Sequence, residues 1–476
     1  MSTQVSKKGL FVTSEGQNVL FTFILVTTLF LLWGFCNGMI DVMDKHFQEE
    51  LGLSKSQSAW VQFAHYLGYF LMSIPAGWLA TKLGYKGGII AGLLIVACGG
   101  FWFIPATKIN EMVHTGAVSA TTSFVAYLAG VCVIATGLTF LETIANPYTT
   151  VLGDNRFAAT RINLAQSCNG IGWIFGPIIG SLYFYGKDAA GHSTGSQTLY
   201  IPYAAIAVGV LVLAVIFYFA NVPDIKAEDD YHLDDPTGQG ESRSIWSHPH
   251  FVLAVLAQFL YVAAQAGIFS FFINYMTSEI PAMPPSWQAS LTGLSGSTGM
   301  IHDWLQGWFE PARGGLLTLS NKGASNLASL GFVCFLIGRF SGAGILKKFS
   351  PHKVLGLYGA MNVLLTFVVF LKLGWLSVVC VFLSFFFMSV MFPTIFALGI
   401  FGLGSRAKRA SSFLVMAIMG GAILPKLMGY VADQYDMSRG FIVPMVCFIF
   451  VAYYGYNWSK FSGAESLGGA PMRTGH

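Results

Sequence analysis

The fold of this chain is decided by residues 126–180, AYLAGVCVIATGLTFLETIANPYTTVLGDNRFAATRINLAQSCNGIGWIFGPIIG. The stretch contains two apolar runs that are separated by a short basic turn with Arg156 and Arg161. A helix needs about 20 mostly apolar residues to cross the hydrocarbon core of a bilayer, and each run reaches that length. The stretch therefore predicts two consecutive membrane-spanning helices.

Carboxyl and amide side chains lie inside both runs. Glu142 is in the first run, and Asn146 follows it by one helical turn. The second run carries Asn163, Gln166 and Asn169 at intervals of three, which places them on one side of a helix. Polar groups in a lipid-length helix are costly unless they line a cavity. These side chains therefore predict a path for a polar solute.

The composition extends this interpretation to the whole chain. Of the 476 residues, 54% are hydrophobic and only 10% are charged, whereas soluble domains average about 25% charged residues. We therefore expect a polytopic protein embedded in a lipid bilayer. The net charge of +4 includes no long basic block, which argues against a nucleic-acid partner. The seven cysteines lie within apolar runs without CxxC or metal-ligand spacing, so we expect no disulfide framework, no metal and no cofactor.

Twelve lipid-length runs occur along the chain, six before an acidic linker and six after it. They fall at about 20–44, 57–81, 86–105, 123–153, 161–186, 200–221, 249–279, 325–346, 352–372, 375–402, 409–433 and 440–460. A longer loop at about 281–324 interrupts the second set and is interpreted as an ordinary loop. The predicted organisation is a cytoplasmic tail (1–19), an N-terminal six-helix half (20–221), a cytoplasmic linker (222–248), a C-terminal six-helix half (249–460) and a second cytoplasmic tail (461–476).

The distribution of Lys and Arg predicts the orientation. With both termini in the cytoplasm, the cytoplasmic segments hold 16 of the 26 Lys and Arg residues and the opposite segments hold 8. The remaining two, Arg339 and Lys426, lie within helices. Positive residues are enriched on the cytoplasmic side of membrane proteins. We therefore expect an even number of spans with both termini in the cytoplasm.

Corresponding turns of the two halves resemble each other. GWLATKLGYKGG (77–88) joins the second and third predicted helices, and GAGILKKFSPHK (342–353) joins the eighth and ninth. Each places a glycine-containing helix end before a short basic turn. Duplicated six-helix halves are typical of major facilitator transporters. The predicted fold is therefore an all-α major facilitator fold with twelve transmembrane helices in two six-helix halves.

More specific motifs occur in both halves. They are LLWGFCNGMIDVMDKHFQ, HYLGYFLMSIPAGWLATKLGYKGGI, FLETIANPYTTVLG, RINLAQSCNG, AQFLYVAAQAGIFSFFINY, FLIGRFSGAGILKKFSPHKVLGLY, FPTIFALGIFGLG and SSFLVMAIMGG. Through these motifs the chain resembles the fucose:proton symporter family of the major facilitator superfamily. The resemblance implies a proton-driven monosaccharide importer of the bacterial inner membrane, which works by alternating access.

The resemblance also implies roles for individual residues. It assigns proton coupling and sugar handling to Asp41 in GMIDV and to Glu142 in FLETIANP. It assigns sugar contacts to the amides of the NLAQxxN pattern, Asn163, Gln166 and Asn169, and the last two are the stronger candidates. Sugar hydroxyls both donate and accept hydrogen bonds, and an amide offers both functions.

Each of these residues has a structural alternative. Asp41 lies about 20 residues into its helix, so it is also placed to be a solvated charge at the helix end. Glu142 can instead bond a neighbouring helix, and the amides can hold helices together. For Asn163, helix bonding or gating is as well supported as sugar binding. Asn146 precedes Pro147 and can instead satisfy carbonyls that a proline kink frees.

Further candidates lie in the second half. Gln258, Tyr261 and Gln265 share one face of the seventh helix, which would complete a sugar-binding cleft opposite the amide stripe. Arg339, in FLIGRFSG, is predicted to gate the cytoplasmic end, to pair with an acid or to extend toward the headgroups. His65, by contrast, is expected to be a packed helix histidine.

Glycine recurs every four residues at Gly172, Gly176 and Gly180. Small residues at this spacing let two helices approach closely in a membrane. We therefore expect the fifth helix to pack tightly against a neighbouring helix.

These observations predict a monomeric transporter that imports a neutral monosaccharide, L-fucose or a related hexose, together with protons. N-acetylglucosamine, glucose or galactose, and mannose are alternative substrates within the same family. A membrane sugar sensor that does not transport is the alternative from another functional class. No HExxH or P-loop motif occurs, so an enzyme is not expected.

Overall fold

The computed structural model describes residues 11–12, 16–152, 158–185, 195–223, 244–281, 307–311, 316–346, 349–401, 403 and 407–464. Within these ranges the chain is almost entirely helical. A helix satisfies its backbone N–H and C=O groups internally, which the interior of a bilayer requires.

The described part of the first half forms seven helices. They are α1 (Leu20–Glu50), α2 (Lys55–Ser58), α3 (Trp60–His114), α4 (Ala120–Val151), α5 (Ala158–Phe184), α6 (Gly195–Thr198) and α7 (Tyr200–Phe219). The longest, α3, is interrupted at Gly84, whose φ of 69° and ψ of 178° are open almost only to glycine. Two helices therefore meet at Gly84, within the basic turn that the sequence predicts.

The described part of the second half forms ten α-helices, several of them separated by only one to three residues. They are α8 (Pro249–Ser270), α9 (Phe272–Ser278), α10 (Asn321–Leu346), α11 (Pro351–Phe370), α12 (Trp375–Met388), α13 (Met391–Ile400), α14 (Ala407–Met416), α15 (Gly420–Gln434), α16 (Met437–Gly440) and α17 (Ile442–Ser462). Before α10, strands β1 (Phe309–Pro311) and β2 (Leu317–Leu319) form an antiparallel hairpin. The rest of the predicted long loop, at 282–306 and 312–315, lies outside the described residues.

Twelve long helical segments result when α3 is counted as two and α8/α9, α12/α13 and α14/α15 are each counted as one path, over the described residues. Ten of these segments are long and apolar enough to cross a membrane. The other two are the part of α3 before Gly84, which carries Gln62 and His65, and α5, which carries the amide stripe. The predicted multi-pass helical architecture is confirmed, and the twelve long segments agree in number with the twelve predicted helices.

Glycines bring α1 and α5 into backbone contact. A Cβ atom on Gly34 would overlap the main-chain carbonyl of Asn169, and one on Gly172 would overlap α1 in the same way. A Cβ atom on Gly176 would lie 2.7 Å from the Gly38 backbone. The close approach that the glycine repeat predicts is therefore confirmed, and its partner is α1.

The two halves meet where α5 packs against α10 and where α3 packs against α14 and α15. We call the end of the bundle at which residues 51–59 lie the distal end. There the Asp433 carboxylate accepts hydrogen bonds from the backbone N–H groups of Lys55, at 3.1 Å, and of Ser56, at 2.8 Å. Nearby, the Asn274 amide donates to Gln48 Oε1 at 2.6 Å.

Two serines extend these contacts between α5 and α10. Ser181 Oγ donates to Asn326 Oδ1 at 3.1 Å, and Ser325 Oγ donates to the Pro177 carbonyl at 2.9 Å. We call this set of contacts between the halves the distal interface, and its members are Gln48, Lys55, Ser56, Pro177, Ser181, Asn274, Ser325, Asn326 and Asp433. In this structure the halves are therefore joined at the distal end.

Candidate functional site

A buried acid lies at the junction of three helices of the first half. Glu142, on α4, is 4% exposed, and its Oε2 atom has no hydrogen-bond partner among the described residues. Its carboxyl group lies beside Tyr69 of α3. The Tyr69 hydroxyl in turn accepts a hydrogen bond from the Trp33 indole N–H of α1 at 2.6 Å. An acid in this position can take up or release a proton when water or a solute reaches it.

The amide stripe of α5 lies next to this acid. Gln166 Nε2 donates to Asn146 Oδ1 at 3.1 Å, and Asn146 is one turn along α4 from Glu142. Asn169 is 3% exposed, and its Nδ2 atom donates to the Phe30 carbonyl of α1 at 3.3 Å. Gln166 and Asn146 therefore form a polar group with the acid, whereas the Asn169 amide joins α5 to α1.

Some predicted site residues have side chains that the structure does not describe. The backbone of Asp41 lies in α1 and that of Asn163 lies in α5, but both side chains are outside the described part. All of Arg156 is outside it as well. The roles predicted for Asp41 and Asn163 therefore stay predictions.

Arg339 connects the two halves. Its Nη1 atom donates to the Gln166 carbonyl at 3.0 Å and approaches Gln166 Oε1 at 3.5 Å. Its guanidinium carbon lies 4.9 Å from the centre of the Phe335 ring. Within the described residues, the oxygens that it contacts belong to carbonyl and amide groups. The cation is therefore held by dipoles at the boundary between α10 and α5.

The second set of Arg339 contacts is explained by a proline. Pro393 has no N–H group, so the Ser389 carbonyl four residues earlier loses its helical partner at the break between α12 and α13. Arg339 Nε donates to that carbonyl at 3.4 Å. The adjacent Met388 carbonyl accepts a hydrogen bond from the Tyr261 hydroxyl at 2.8 Å. Tyr261 and Arg339 thus donate hydrogen bonds to main-chain carbonyls at the break between α12 and α13.

The three polar residues predicted on one face of α8 lie in different environments. Gln258 is fully buried, and neither atom of its amide head has a hydrogen-bond partner among the described residues. Tyr261 is bonded to Met388, as described above. Only Gln265 reaches the cavity that lies between the halves.

That cavity is lined by polar and aromatic side chains from both halves. The polar side chains are Asn37, Gln62, His65 and Gln265, and the aromatic ones are Tyr66, Trp173 and Phe269. Its volume is about 30 Å³, which accommodates about two water molecules. A monosaccharide is larger than this, so sugar binding here would require the space between the halves to widen.

The α3 side of this cavity lies outside the candidate sites predicted from the sequence. Gln62, His65, Tyr66 and Tyr69 recur at intervals of three and four, the same one-face spacing that singled out Gln258, Tyr261 and Gln265 on α8. That spacing was therefore an available signal. His65 is 3% exposed and its ring centre lies 4.9 Å from that of Tyr66, as expected of a packed helix histidine, but the residue also lines the cavity.

Comparisons with known proteins agree with this architecture. Residues 18–424 match the Major Facilitator Superfamily. A glucose/galactose transporter of Brucella abortus is 30% identical over 94% of this chain and 96% of its own. The L-fucose-proton symporter of Escherichia coli K12 is 31% identical over 91% of this chain and 92% of its own. A crystal structure of the E. coli fucose:proton symporter has a TM-score of 0.64, covering 93% of this chain and 100% of that one at 31% identity.

Proposed function

The chain belongs to the Major Facilitator Superfamily, and from that premise we propose that it is a proton-coupled importer of a neutral monosaccharide. The observation that carries the proposal is the buried Glu142 carboxyl group, which lies beside Tyr69 and one turn from the Asn146–Gln166 pair. An ionised carboxylate is costly in a dry environment. Protonation of Glu142 therefore depends on whether water and solute reach it, and that dependence couples proton movement to sugar movement.

The lining of the cavity supports a neutral polar substrate. Its described side chains include amides, an imidazole and aromatic rings, but no Asp, Glu, Lys or Arg. Amides pair with hydroxyls as both donors and acceptors, and aromatic rings offer apolar faces for the C–H side of a sugar. A charged substrate would lack a countercharge among these residues.

Alternating access explains why the substrate site lies between the halves. The distal interface joins the halves at one end, through contacts such as those of Asp433 with Lys55 and Ser56. Separation at that end, with closure at the other, would expose the same cavity first to one side of the membrane and then to the opposite side. Two states with a shared site are what a secondary transporter needs.

The finer assignments complete the proposal. We place the protein in a bacterial inner membrane as a monomer, with residues 1–19 and 461–476 in the cytoplasm, on the strength of the Lys and Arg distribution. It acts as a transporter without enzymatic chemistry or cofactor. Asp41 shares the proton-coupling role with Glu142, while Gln166, Asn169 and Asn163 contribute to the sugar site or to its closure.

The choice of sugar is the open part of the proposal. L-fucose and glucose or galactose are the substrates of the two relatives named above, and N-acetylglucosamine and mannose are the further alternatives. A non-transporting sugar sensor on the same fold is the rival from another class. It predicts saturable sugar binding in detergent without accumulation in vesicles.

The test is sugar-triggered alkalinisation of the medium around lightly buffered cells that overexpress the protein. The panel is L-fucose, glucose, galactose, mannose and N-acetylglucosamine. A rise in pH with at least one sugar, lost in Asp41→Asn or Glu142→Gln, supports proton-coupled import. Glu111→Gln, which removes an exposed acid of α3, is the matched control and should retain the response.

Exchange measurements then separate coupling from binding. Glu142→Gln should abolish uphill uptake while retaining exchange of labelled for unlabelled sugar. Normal accumulation by this variant would remove Glu142 from the coupling mechanism. Saturable binding by the wild type without either accumulation or a pH change would favour the sensor.

A further inference from the structure

The cavity lies farther toward the distal end than the Glu142 group. Trp173 follows Gln166 by seven residues along α5, which is two helical turns or about 10 Å. The walls come from α1, α3 and α5 of the first half and from α8 of the second. A solute in this space would touch both halves. It would lie on the distal side of Glu142 and would not displace the Asn146–Gln166 pair.

Two side chains of the wall hold polar atoms that nothing in the described structure satisfies. His65 is 3% exposed, and its Nδ1 atom has no hydrogen-bond partner. Asn37 is 8% exposed, and its Oδ1 atom has none either. Both residues border the cavity. A buried polar atom without a partner is unfavourable for folding, so two such residues bordering one cavity point to a ligand that supplies the partners.

The His65 ring is held in place by neighbouring rings. Its centre lies 4.9 Å from that of Tyr66 in an edge-on arrangement and 5.1 Å from that of Tyr69. Tyr69 also contacts the Glu142 carboxyl group. The imidazole is therefore oriented by packing, and Tyr69 contacts both this ring and the proton-coupling acid.

Two aromatic rings of the wall provide an apolar surface that crosses the boundary between the halves. The ring centres of Trp173, on α5, and Phe269, on α8, are 5.4 Å apart with planes inclined by 64°. A pyranose has C–H faces that pack on such rings and hydroxyl groups around its edge. The chemistry of the cavity thus matches a sugar ring whose face meets Trp173 and whose edge meets Asn37 and His65.

We propose that His65 is a specificity-determining residue of the sugar site, with its Nδ1 atom bonding one ring hydroxyl while Asn37 Oδ1 accepts from another. This assignment rests on the proposed function. A site that bonds a particular hydroxyl discriminates strongly against a sugar that lacks it or presents it with the other stereochemistry, because the buried polar atom is then left unpaired. His65 therefore discriminates between hexoses that differ in one hydroxyl group or in its stereochemistry.

The experiment compares three substitutions that keep different atoms of the imidazole. His65→Asn keeps a polar atom near the Nδ1 position, His65→Gln keeps one near the Nε2 position, and His65→Phe keeps the ring without either. The measured quantities are the apparent KM and maximal rate of sugar uptake, and the ranking of sugars and their deoxy analogues as competitors.

We expect His65→Gln and His65→Phe to raise the apparent KM by about tenfold, to retain the maximal rate within about twofold, and to alter the ranking of competitors. His65→Asn should stay close to the wild type in all three. The deoxy analogue that binds worst to the wild type should lose its disadvantage in His65→Phe, because the bond in question is already absent.

A second buried histidine provides the control. His352, on α11, is also 3% exposed with an unpartnered Nδ1 atom, but it stacks on Trp458 with ring centres 5.3 Å apart and lies away from the cavity. His352→Phe should leave the KM and the ranking unchanged.

Several results would overturn the assignment. Wild-type KM and ranking in His65→Phe would make His65 a packing residue, and an equal loss in all three variants would assign the effect to ring packing instead of Nδ1. If His65→Phe does not reach the membrane, the contrast between His65→Asn and His65→Gln decides alone. Failure of the proposed function is distinguishable, because the wild type itself would then transport no sugar of the panel.

Discussion

Arg339 donates a hydrogen bond to the main-chain carbonyl of Gln166 at 3.0 Å, and this bond crosses the boundary between the two halves. A charged donor on one half is thereby fixed to the polypeptide backbone of the other, at the level of the amide stripe. Because the acceptor is a backbone atom, no substitution of the Gln166 side chain removes this bond.

We expect Arg339→Gln to lower the rate of sugar uptake by about tenfold to a hundredfold, the range that loss of a hydrogen bond from a charged group allows. The same change also leaves the Ser389 carbonyl without its donor. Initial rates in membrane vesicles, corrected for the amount of protein, measure the effect. Arg439→Gln is the control, since that guanidinium packs on Phe370 within the second half. Equal rates in both variants would contradict a role for the contact between Arg339 and Gln166.

Asp433 offers a way to weaken the distal interface without touching the cavity. In Asp433→Asn one carboxylate oxygen becomes an N–H₂ donor that faces the backbone N–H groups of Lys55 or Ser56. Loss of hydrogen bonds to a charged group is expected to shift the equilibrium toward a distally open form by about tenfold or more.

The shift can be measured through a reporter in the cavity wall. Ile40→Cys is introduced into a background without other cysteines, and its rate of alkylation by a membrane-impermeant reagent from the distal side is recorded. The reporter should react faster in Asp433→Asn. Asp436→Asn removes an acid whose partners, Lys372 and Arg439, belong to its own half, so it should leave the rate unchanged. Identical rates in all three proteins would show that Asp433 does not hold the distal end closed.

Lys372 supports the distal loops of the second half by ion pairs. Its Nζ atom lies 2.8 Å from Asp436 and 3.4 Å from Glu279. The hydrogen bond to Asp436 raises the pKa of Lys372. Partial burial acts to raise the pKa of Asp436, but the hydrogen bonds from Lys372 and the Arg439 backbone outweigh it, and the pKa of Asp436 lies below its ordinary value of 3.8.

The pH dependence follows from these directions. The contribution of Asp436 to stability is present above pH 3.8 and is lost as the pH falls through its lowered pKa. The contribution of Lys372 is present below pH 10.5 and is lost as the pH rises through its raised pKa. Both therefore act around neutrality. Because Lys372 is 41% exposed, the whole effect is expected to be at most about 1 kcal/mol.

The variant of choice is Lys372→Asn, since the residue has a φ of 58° and Asn tolerates this left-handed conformation. We expect it to lower the Tm in detergent by about 1–2 °C near neutral pH, and the difference from the wild type should shrink in acid below pH 3.8. Lys108→Asn, an exposed lysine of α3, serves as the control. A difference that persists unchanged in acid would exclude the ion pairs as its cause.

Gly34 tests the contact between α1 and α5. A methyl group at this position would overlap the Asn169 carbonyl, so Gly34→Ala has to separate the two helices, at an expected cost of about 1–3 kcal/mol or more. We expect a reduced fraction of monodisperse protein after mild heating, measured by size-exclusion chromatography. Gly209→Ala, on α7 with nothing within 4 Å of the added Cβ atom, should be at least as stable as the wild type. Similar behaviour of the two variants would mean that α1 and α5 can separate at little cost in stability.

Hydropathy and glycine spacing predicted much of the fold, because both can be read from neighbouring residues in the sequence. Each apolar run of lipid length became one helix or two successive helices, and the turn at Gly84 falls inside the predicted basic segment. The break between α12 and α13 could not be placed as firmly. Pro393 signals a lost hydrogen bond, but the partners that repair the break, Tyr261 and Arg339, lie far away in the sequence.

The site was predictable to a smaller extent, because its contacts join residues that lie far apart in the sequence. Spacing places Gln258, Tyr261 and Gln265 on one face of α8, but it does not show what each position along that face meets in three dimensions. The Tyr261 hydroxyl bonds the Met388 carbonyl, whereas Gln265, one turn further, reaches the cavity. His65 is a similar case, since spacing places it on one face of α3 with Gln62 and Tyr69 but does not show that its Nδ1 atom lacks a partner.

The distal interface is composed largely of N–H and O–H groups near the ends of helices, where water is close at hand. When it separates, each group exchanges its protein partner for a water molecule, so the net cost is only about 0.5–1.5 kcal/mol for a neutral pair. Thermal motion is then sufficient to reopen the protein, with no need for a chemical fuel. The direction of net flow would be set by the sugar and proton gradients together, and cells preloaded with substrate should be emptied by the same protein once the proton gradient is collapsed.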